Sequence, residues 1–144
     1  MSLAARVRRA RESGDPSSLV AAIPYAQFMG ITMEADGDAV IGKLAAADHV
    51  IGNPQLRHLH GGATGALLES TAIFQLLWRS ETLVVPKTIN ITLQYLRAGK
   101  QLDTYARAEL TRLGRRVANI YAVAWQDDPE LPIAAATAHF LIAA

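Results

Sequence analysis

Glu69 is the only charged side chain between Ala63 and Trp78, in a stretch otherwise made mostly of Ala, Leu, Ile and Phe. An unpaired carboxylate buried in hydrocarbon is costly, so a chain that keeps one there has a partner for it or a use for it. Two readings follow: an arginine from another strand pairs with Glu69, or the carboxylate works as a base or nucleophile. The run begins with His60-Gly61-Gly62. Two glycines let another backbone or a ligand come close. The first amides of a helix have no intrahelical acceptor and sit at the positive end of its dipole. Such N–H groups suit a carbonyl oxygen that gains negative charge during acyl transfer. Glu69 follows Gly61 by eight residues, which is about 12 Å of helical rise. That is too far for both to act on one atom within a chain. Either a second subunit supplies the acid, or the ligand runs along the helix.

The elements that must hold these residues are legible from periodicity. Ala63, Ala66, Leu67, Leu68, Ala72, Ile73, Phe74, Leu76 and Leu77 cover nearly every side of a helical wheel, predicting a buried helix from Gly61 to Trp78. After Arg79-Ser80-Glu81, strands are predicted at Thr88–Leu96, Leu102–Leu113, Arg116–Gln126 and Ile133–Ile142. Hairpin turns are expected at Ala98-Gly99-Lys100, Gly114-Arg115 and Asp127-Asp128-Pro129. Before the helix, Leu3–Glu12 and Pro16–Ala22 read as helices, and Ile23–Gly30 as one or two helical turns. Asp36-Gly37-Asp38 is a turn signal, Ala39–Ala46 a strand, and Asp48–His60 a loop. An all-apolar helix needs a sheet that curls around it. The fold class is α+β: a curved antiparallel sheet wrapped around a long central helix, with residues 1–27 a helical segment ahead of a domain at 28–144.

Bulk properties narrow the function classes. The 144 residues are 51% hydrophobic and 19% charged with net charge +1, so no global field draws nucleic acid or an anionic membrane. Cysteine is absent, which excludes thiolate catalysis and disulfides. No segment reads as membrane-spanning, and no His/Asp spacing makes a metal site. The arginines at positions 6, 8, 9 and 11 read as a solvated helix, and the cytoplasm is the expected location. His49, His58 and His139 are expected to be ordinary surface or sheet residues. Trp78, Phe74 and Leu77 either line an acyl tunnel or are plain core. Arg97, Lys100, Arg112, Arg115 and Arg116 stand at strand ends, as a solvated rim or as a coat for phosphates.

The stretch His60-Gly61-Gly62-Ala63-Thr64-Gly65-Ala66-Leu67-Leu68-Glu69-Ser70-Thr71-Ala72 closely resembles the signature of hotdog-fold thioesterases, nearest to the phenylacetate-pathway and hydroxybenzoyl-CoA groups. Gln94-Tyr95-Leu96-Arg97-Ala98-Gly99 and Leu113-Gly114-Arg115-Arg116-Val117-Ala118 are similar to the family's following strand and turn. The resemblance implies an acyl-CoA thioesterase that needs no cofactor, its site shared between the subunits of a homodimer or homotetramer. It gives Glu69 the role of general base or nucleophile, and gives the Gly61 and Gly62 amides the thioester carbonyl. His60 orients that corner, and Thr88 helps to place water. Arg97, Arg115 and Arg116 are candidates for the CoA phosphates. Pro54 stands where the family pattern has Asn or Gln, so the water-holding amide falls to Asn53 or Gln55; Ile73 replaces a frequent Ser or Thr. A hotdog hydratase or dehydratase, and an acyl-CoA-binding domain without turnover, are the alternatives.

Overall fold

The computed structural model describes residues 1–79 and 84–143, which leaves the expected helix break at Ser80 and Glu81 outside the described residues. Three helices come first: α1 (Leu3–Ser13), α2 (Ser17–Ala21) and α3 (Pro24–Met29). The Ser2 hydroxyl accepts the Ala5 N–H at 3.2 Å, capping α1, and Gly14 ends it in the left-handed conformation. A hairpin follows, β1 (Ile31–Asp36) and β2 (Ala39–Leu44), joined at the expected Asp36-Gly37-Asp38 turn. The segment expected to be a loop holds a 3-10 turn at Asp48–Val50 and a small ladder of β3 (Ile51–Asn53) with β4 (His58–Leu59). Next come α4 (Gly61–Arg79) and four strands: β5 (Lys87–Tyr95), β6 (Thr104–Leu113), β7 (Val117–Trp125) and β8 (Ala134–Leu141).

The main sheet runs β1-β2-β6-β7-β8-β5, with every neighbouring pair antiparallel. This corrects one expectation. Ala98-Gly99-Lys100 does not close a hairpin between β5 and β6, because among the described residues β5 pairs only with β8 at the sheet edge. The chain instead crosses past the start of α4, where Leu59 N–H donates to the Gly99 carbonyl at 2.9 Å and His58 bridges Lys100.

α4 packs across the inner face of the sheet, where two cross-strand rows consist of small side chains. Gly42, Ala106, Ala124 and Ala134 form one cross-strand row, and Ala108, Ala122 and Ala136 the next. A Cβ on Gly42 would stand 2.2 Å from Thr71 Oγ1, so glycine is what allows β2 to approach the helix this closely. Leu67, Leu68, Thr71, Ala72 and Leu76 of α4 fill the space above. At the far end, Arg11 Nε donates to the Leu77 carbonyl at 3.1 Å, fastening α1 to the C-terminal turn of α4, where carbonyls lack partners and cations are favoured.

Gln75, only 2% exposed, ties α4 to the hairpin. Its Oε1 accepts the Val40 N–H at 2.9 Å and its Nε2 donates to the Asp38 carbonyl at 2.8 Å. Gln75→Leu strands both backbone groups and is expected to lower unfolding free energy by about 1–3 kcal/mol. Denaturant melts of the two proteins measure this directly.

The helix is not enclosed all round. Gly62, Ala66, Glu69 and Ile73 share one face of α4 and are half-buried or exposed. That open stripe runs alongside β5, whose outer edge carries no strand among the described residues.

Candidate active site

β5 and α4 together fix the acid. Glu69 projects from the open stripe and is half-buried, short of the burial that its apolar neighbours suggest in sequence. Thr88 Oγ1 donates to Glu69 Oε2 at 3.2 Å. A β-bulge aims this hydroxyl. Thr88 pairs with Phe140 and Asn90 with the adjacent His139, so Ile89 is the extra residue. Without it, strict alternation from the outward-facing Asn90 would turn Thr88 out too. No arginine or lysine pairs with Glu69 among the described residues, so the structural reading of an arginine partner finds no support there. A carboxylate held by one hydroxyl and free of a cation can accept a proton or attack a carbonyl carbon.

The start of α4 makes the second half of the site. His60 N–H donates to the Val50 carbonyl at 2.9 Å, so the β3–β4 ladder sets where the helix begins. Among the described residues the Gly61 N–H has no intramolecular acceptor. The Gly62 N–H is turned onto His60 Nδ1 at 2.9 Å, which makes Nδ1 the acceptor and puts any ring proton on Nε2. The Tyr95 hydroxyl donates to the Gly61 carbonyl at 2.8 Å. A hollow of about 500 Å³ opens here, lined in part by Gly61, Thr64, Tyr95, Leu96 and Ile133. A hollow of about 600 Å³ between Asp36, Gln75, Arg107 and Tyr121 contains neither Gly61 nor Glu69.

Sequence reasoning passed over Tyr95 as a functional residue. The signal was there in the alternation of β5, which puts Tyr95 on the same face as Ile91 and Leu93, towards α4.

The other candidates are dispersed. Asn53 Oδ1 accepts the N–H groups of Gln55 and Leu56, both at 3.1 Å. Neither Asn53 nor Gln55 is hydrogen-bonded to Glu69 or Gly61. Beneath this loop Gln101 and Arg57 bond to the Asp48 carboxylate and hold its pKa below the usual range. The arginines separate into two groups. Ala118, Phe140 and Thr88 form one cross-strand row, which puts the Arg115-Arg116 turn at the Glu69 end of the sheet. Ala124, Ala134 and Tyr95 form another, which puts Arg97 at the opposite end. The 9-residue β5 between them spans about 30 Å. Arg97 Nη1 donates to the Pro132 carbonyl at 2.7 Å, while Arg112, Arg115 and Arg116 line a hollow of about 360 Å³.

The remaining histidines and aromatics have structural surroundings. His49 Nε2 bonds the Phe28 carbonyl at 2.8 Å, and His139 Nδ1 bonds Asn90 at 2.6 Å. Phe74 and Leu77 belong to the core, and Trp78 Nε1 donates to the Gly37 carbonyl at 3.3 Å. No helix among the described residues is long and apolar enough to cross a membrane.

Comparison with known proteins bears on this geometry. Residues 51–141 match the family model of the acyl-CoA thioesterase N-terminal domain, a span that includes every element of the candidate site. A Chromobacterium violaceum protein of known structure is 35% identical over 96% of this chain and 97% of its own, with a TM-score of 0.78. A phenylacetic acid degradation-related protein from Ralstonia eutropha JMP134 is 25% identical, covering 95% and 99%, with a TM-score of 0.77. The E. coli PaaI protein, from the phenylacetic acid degradation operon, shares the fold at 13% identity, covering 99% and 97%, with a TM-score of 0.76. No curated protein matches this chain. With its curved antiparallel sheet, central helix and family match, the chain belongs to the acyl-CoA thioesterase family and has the hotdog fold.

Proposed function

We propose that the protein hydrolyses an acyl- or aryl-CoA thioester to the free acid and CoA, with Glu69 as general base or nucleophile. The observation that carries this reading is the Glu69 carboxylate, bonded to Thr88 and without a cation among the described residues. The thioester carbonyl oxygen is received at the start of α4 by the Gly61 and Gly62 amides. Either water, deprotonated by Glu69, attacks the carbonyl carbon and the CoA thiolate leaves, or the carboxylate itself attacks and the thiolate leaves. In the second route water then hydrolyses the resulting anhydride to the free acid and Glu69. The enzyme acts in the cytoplasm and takes no cofactor.

The acid and the amides come from different copies of the chain. Among the described residues β5 offers an unpaired edge, beside which Ile89 and Tyr95 are 54% and 56% exposed, and the open stripe of α4 lies next to it. A second copy pairing antiparallel along β5 covers that edge. Such pairing sets the first residues of one strand against the last of the other. With the dyad at Ile91, the middle of β5, Thr88 lies opposite Gln94 of the second copy. Glu69 of one chain thereby comes beside Tyr95 and Gly61 of its neighbour, and the offset of about 12 Å along one helix is closed by symmetry.

A thiol-release assay over a panel of alkyl- and aryl-CoA thioesters tests the reaction, with enoyl-CoA hydration followed in parallel. Acyl-CoA binding without thiol release would sink it and leave a binding domain. The nucleotide end of CoA is assigned to the Arg115-Arg116 turn. Arg116→Ala is expected to raise KM roughly two- to tenfold with kcat much less changed, because phosphate contacts are the same in ground and transition states. The effect should shrink with added salt and vanish for a truncated thioester that lacks the nucleotide. Equal KM values at low salt would return Arg116 to the solvated rim.

A further inference from the structure

We infer that Tyr95 is a positioning residue for the proposed hydrolysis, holding the Gly61–Gly62 peptide so that its N–H faces the reacting carbonyl; this rests on the thioesterase reading above. The peptide is gripped at both ends. Tyr95 Oη donates to its carbonyl oxygen at 2.8 Å, and its N–H donates to His60 Nδ1 at 2.9 Å. Hydroxyl, peptide and imidazole therefore form one chain of hydrogen bonds in which each bond polarises the next. The phenol is not there to rescue a stranded group. Gly61 is the first residue of α4, and at that end of a helix the N–H groups lack partners while the carbonyls have them.

The fit is built from both sides. A Cβ on Gly61 would stand 3.1 Å from Tyr95 Cζ and Oη, and a Cβ on Gly65, one turn later, 2.9 Å from Leu93 Cδ1. Glycine at both positions leaves a groove on α4 that seats the inward side chains of β5. The Tyr95 ring is placed by this groove, and phenylalanine keeps that ring, so little packing depends on the hydroxyl. His60 Nδ1 occupies the place on the Gly62 N–H that a substrate oxygen would take. When the carbonyl oxygen displaces it, the bond from Tyr95 persists, and its pull on the peptide grows in value as the oxygen becomes negative. The hydroxyl thus acts on the transition state more than on bound substrate.

Tyr95→Phe keeps the ring and removes only the donor. With a substrate that the wild-type protein hydrolyses, kcat is expected to fall about tenfold while KM stays within about twofold. The thermal midpoint should change little, and Tyr95→Leu, which also loses the ring, should lose kcat at least as much. A merely structural tyrosine would move the midpoint and KM together. Unchanged kcat in Tyr95→Phe overturns the inference and leaves the thioesterase reading standing. Absence of thiol release from the wild-type protein over the whole panel overturns both.

Discussion

Glu69→Gln is expected to yield a folded protein that releases thiol from acyl-CoA about 10²–10⁴-fold more slowly. The amide has the shape of the acid and can still accept the Thr88 hydroxyl, so the local geometry survives. What disappears is the negative charge that abstracts a proton or attacks the carbonyl carbon. Folding should be unaffected, because the side chain is only half-buried on the open stripe of α4 and balances no cation among the described residues. Steady-state and single-turnover rates, with a thermal melt of the same preparation, check both halves of the expectation. A variant hydrolysing a good substrate at near wild-type rate would reduce the Glu69–Thr88 pair to a surface hydrogen bond.

Mixing two dead variants is expected to restore activity. Gly61→Pro removes the open amide at the first helical position, where the fixed φ of proline is tolerated, and should itself cost about 10²–10³-fold. It also crowds the Tyr95 ring. If each site takes its acid from one chain and its amides from the other, a mixed dimer of Glu69→Gln with Gly61→Pro holds one site with both defects and one with neither. Random reassortment makes about half the dimers mixed, so co-expression should recover about a quarter of wild-type activity. A site built within one chain would recover nothing. Sedimentation at assay concentration gives the independent check, since an active monomer excludes sharing.

The helix and the strands after it were legible because their periods are clean. Gly61–Arg79 and the four following strands begin and end within two residues of where the pattern places them. Ile31–Asp36 was passed over, although its alternation of inward Ile31 and Met33 with outward Thr32 and Glu34 is regular. The crossover after β5 could not be read, since Ala98-Gly99-Lys100 looks like any tight turn and strand pairing depends on residues far apart. Glu69 declared itself as a lone charge in an apolar run. Its hydroxyl partner needed the bulge at Ile89, which leaves no mark in composition. The alternation of β5 put Tyr95 towards α4 but could not name its partner, a backbone carbonyl, which has no letter of its own.

The alanine and glycine rows under α4 also decide where disorder is lost on folding. Alanine and glycine give up no rotamers when buried, whereas leucine gives up about 0.5–1 kcal/mol each at room temperature. Along Gly42, Ala106, Ala124 and Ala134, and again along Ala108, Ala122 and Ala136, the sheet freezes no side chain. At these two rows the ordering cost therefore falls on helix side chains such as Leu67, Leu68 and Leu76, while elsewhere Met33, Leu44, Ile120 and Phe140 bear it on the sheet. At these rows the helix and the sheet should consequently tolerate change in opposite directions. A smaller residue on α4 leaves a void whose cost is partly offset by restored side-chain freedom. A larger residue on the alanine floor has no slack to enter, and it must lift the helix that carries both Gly61 and Glu69.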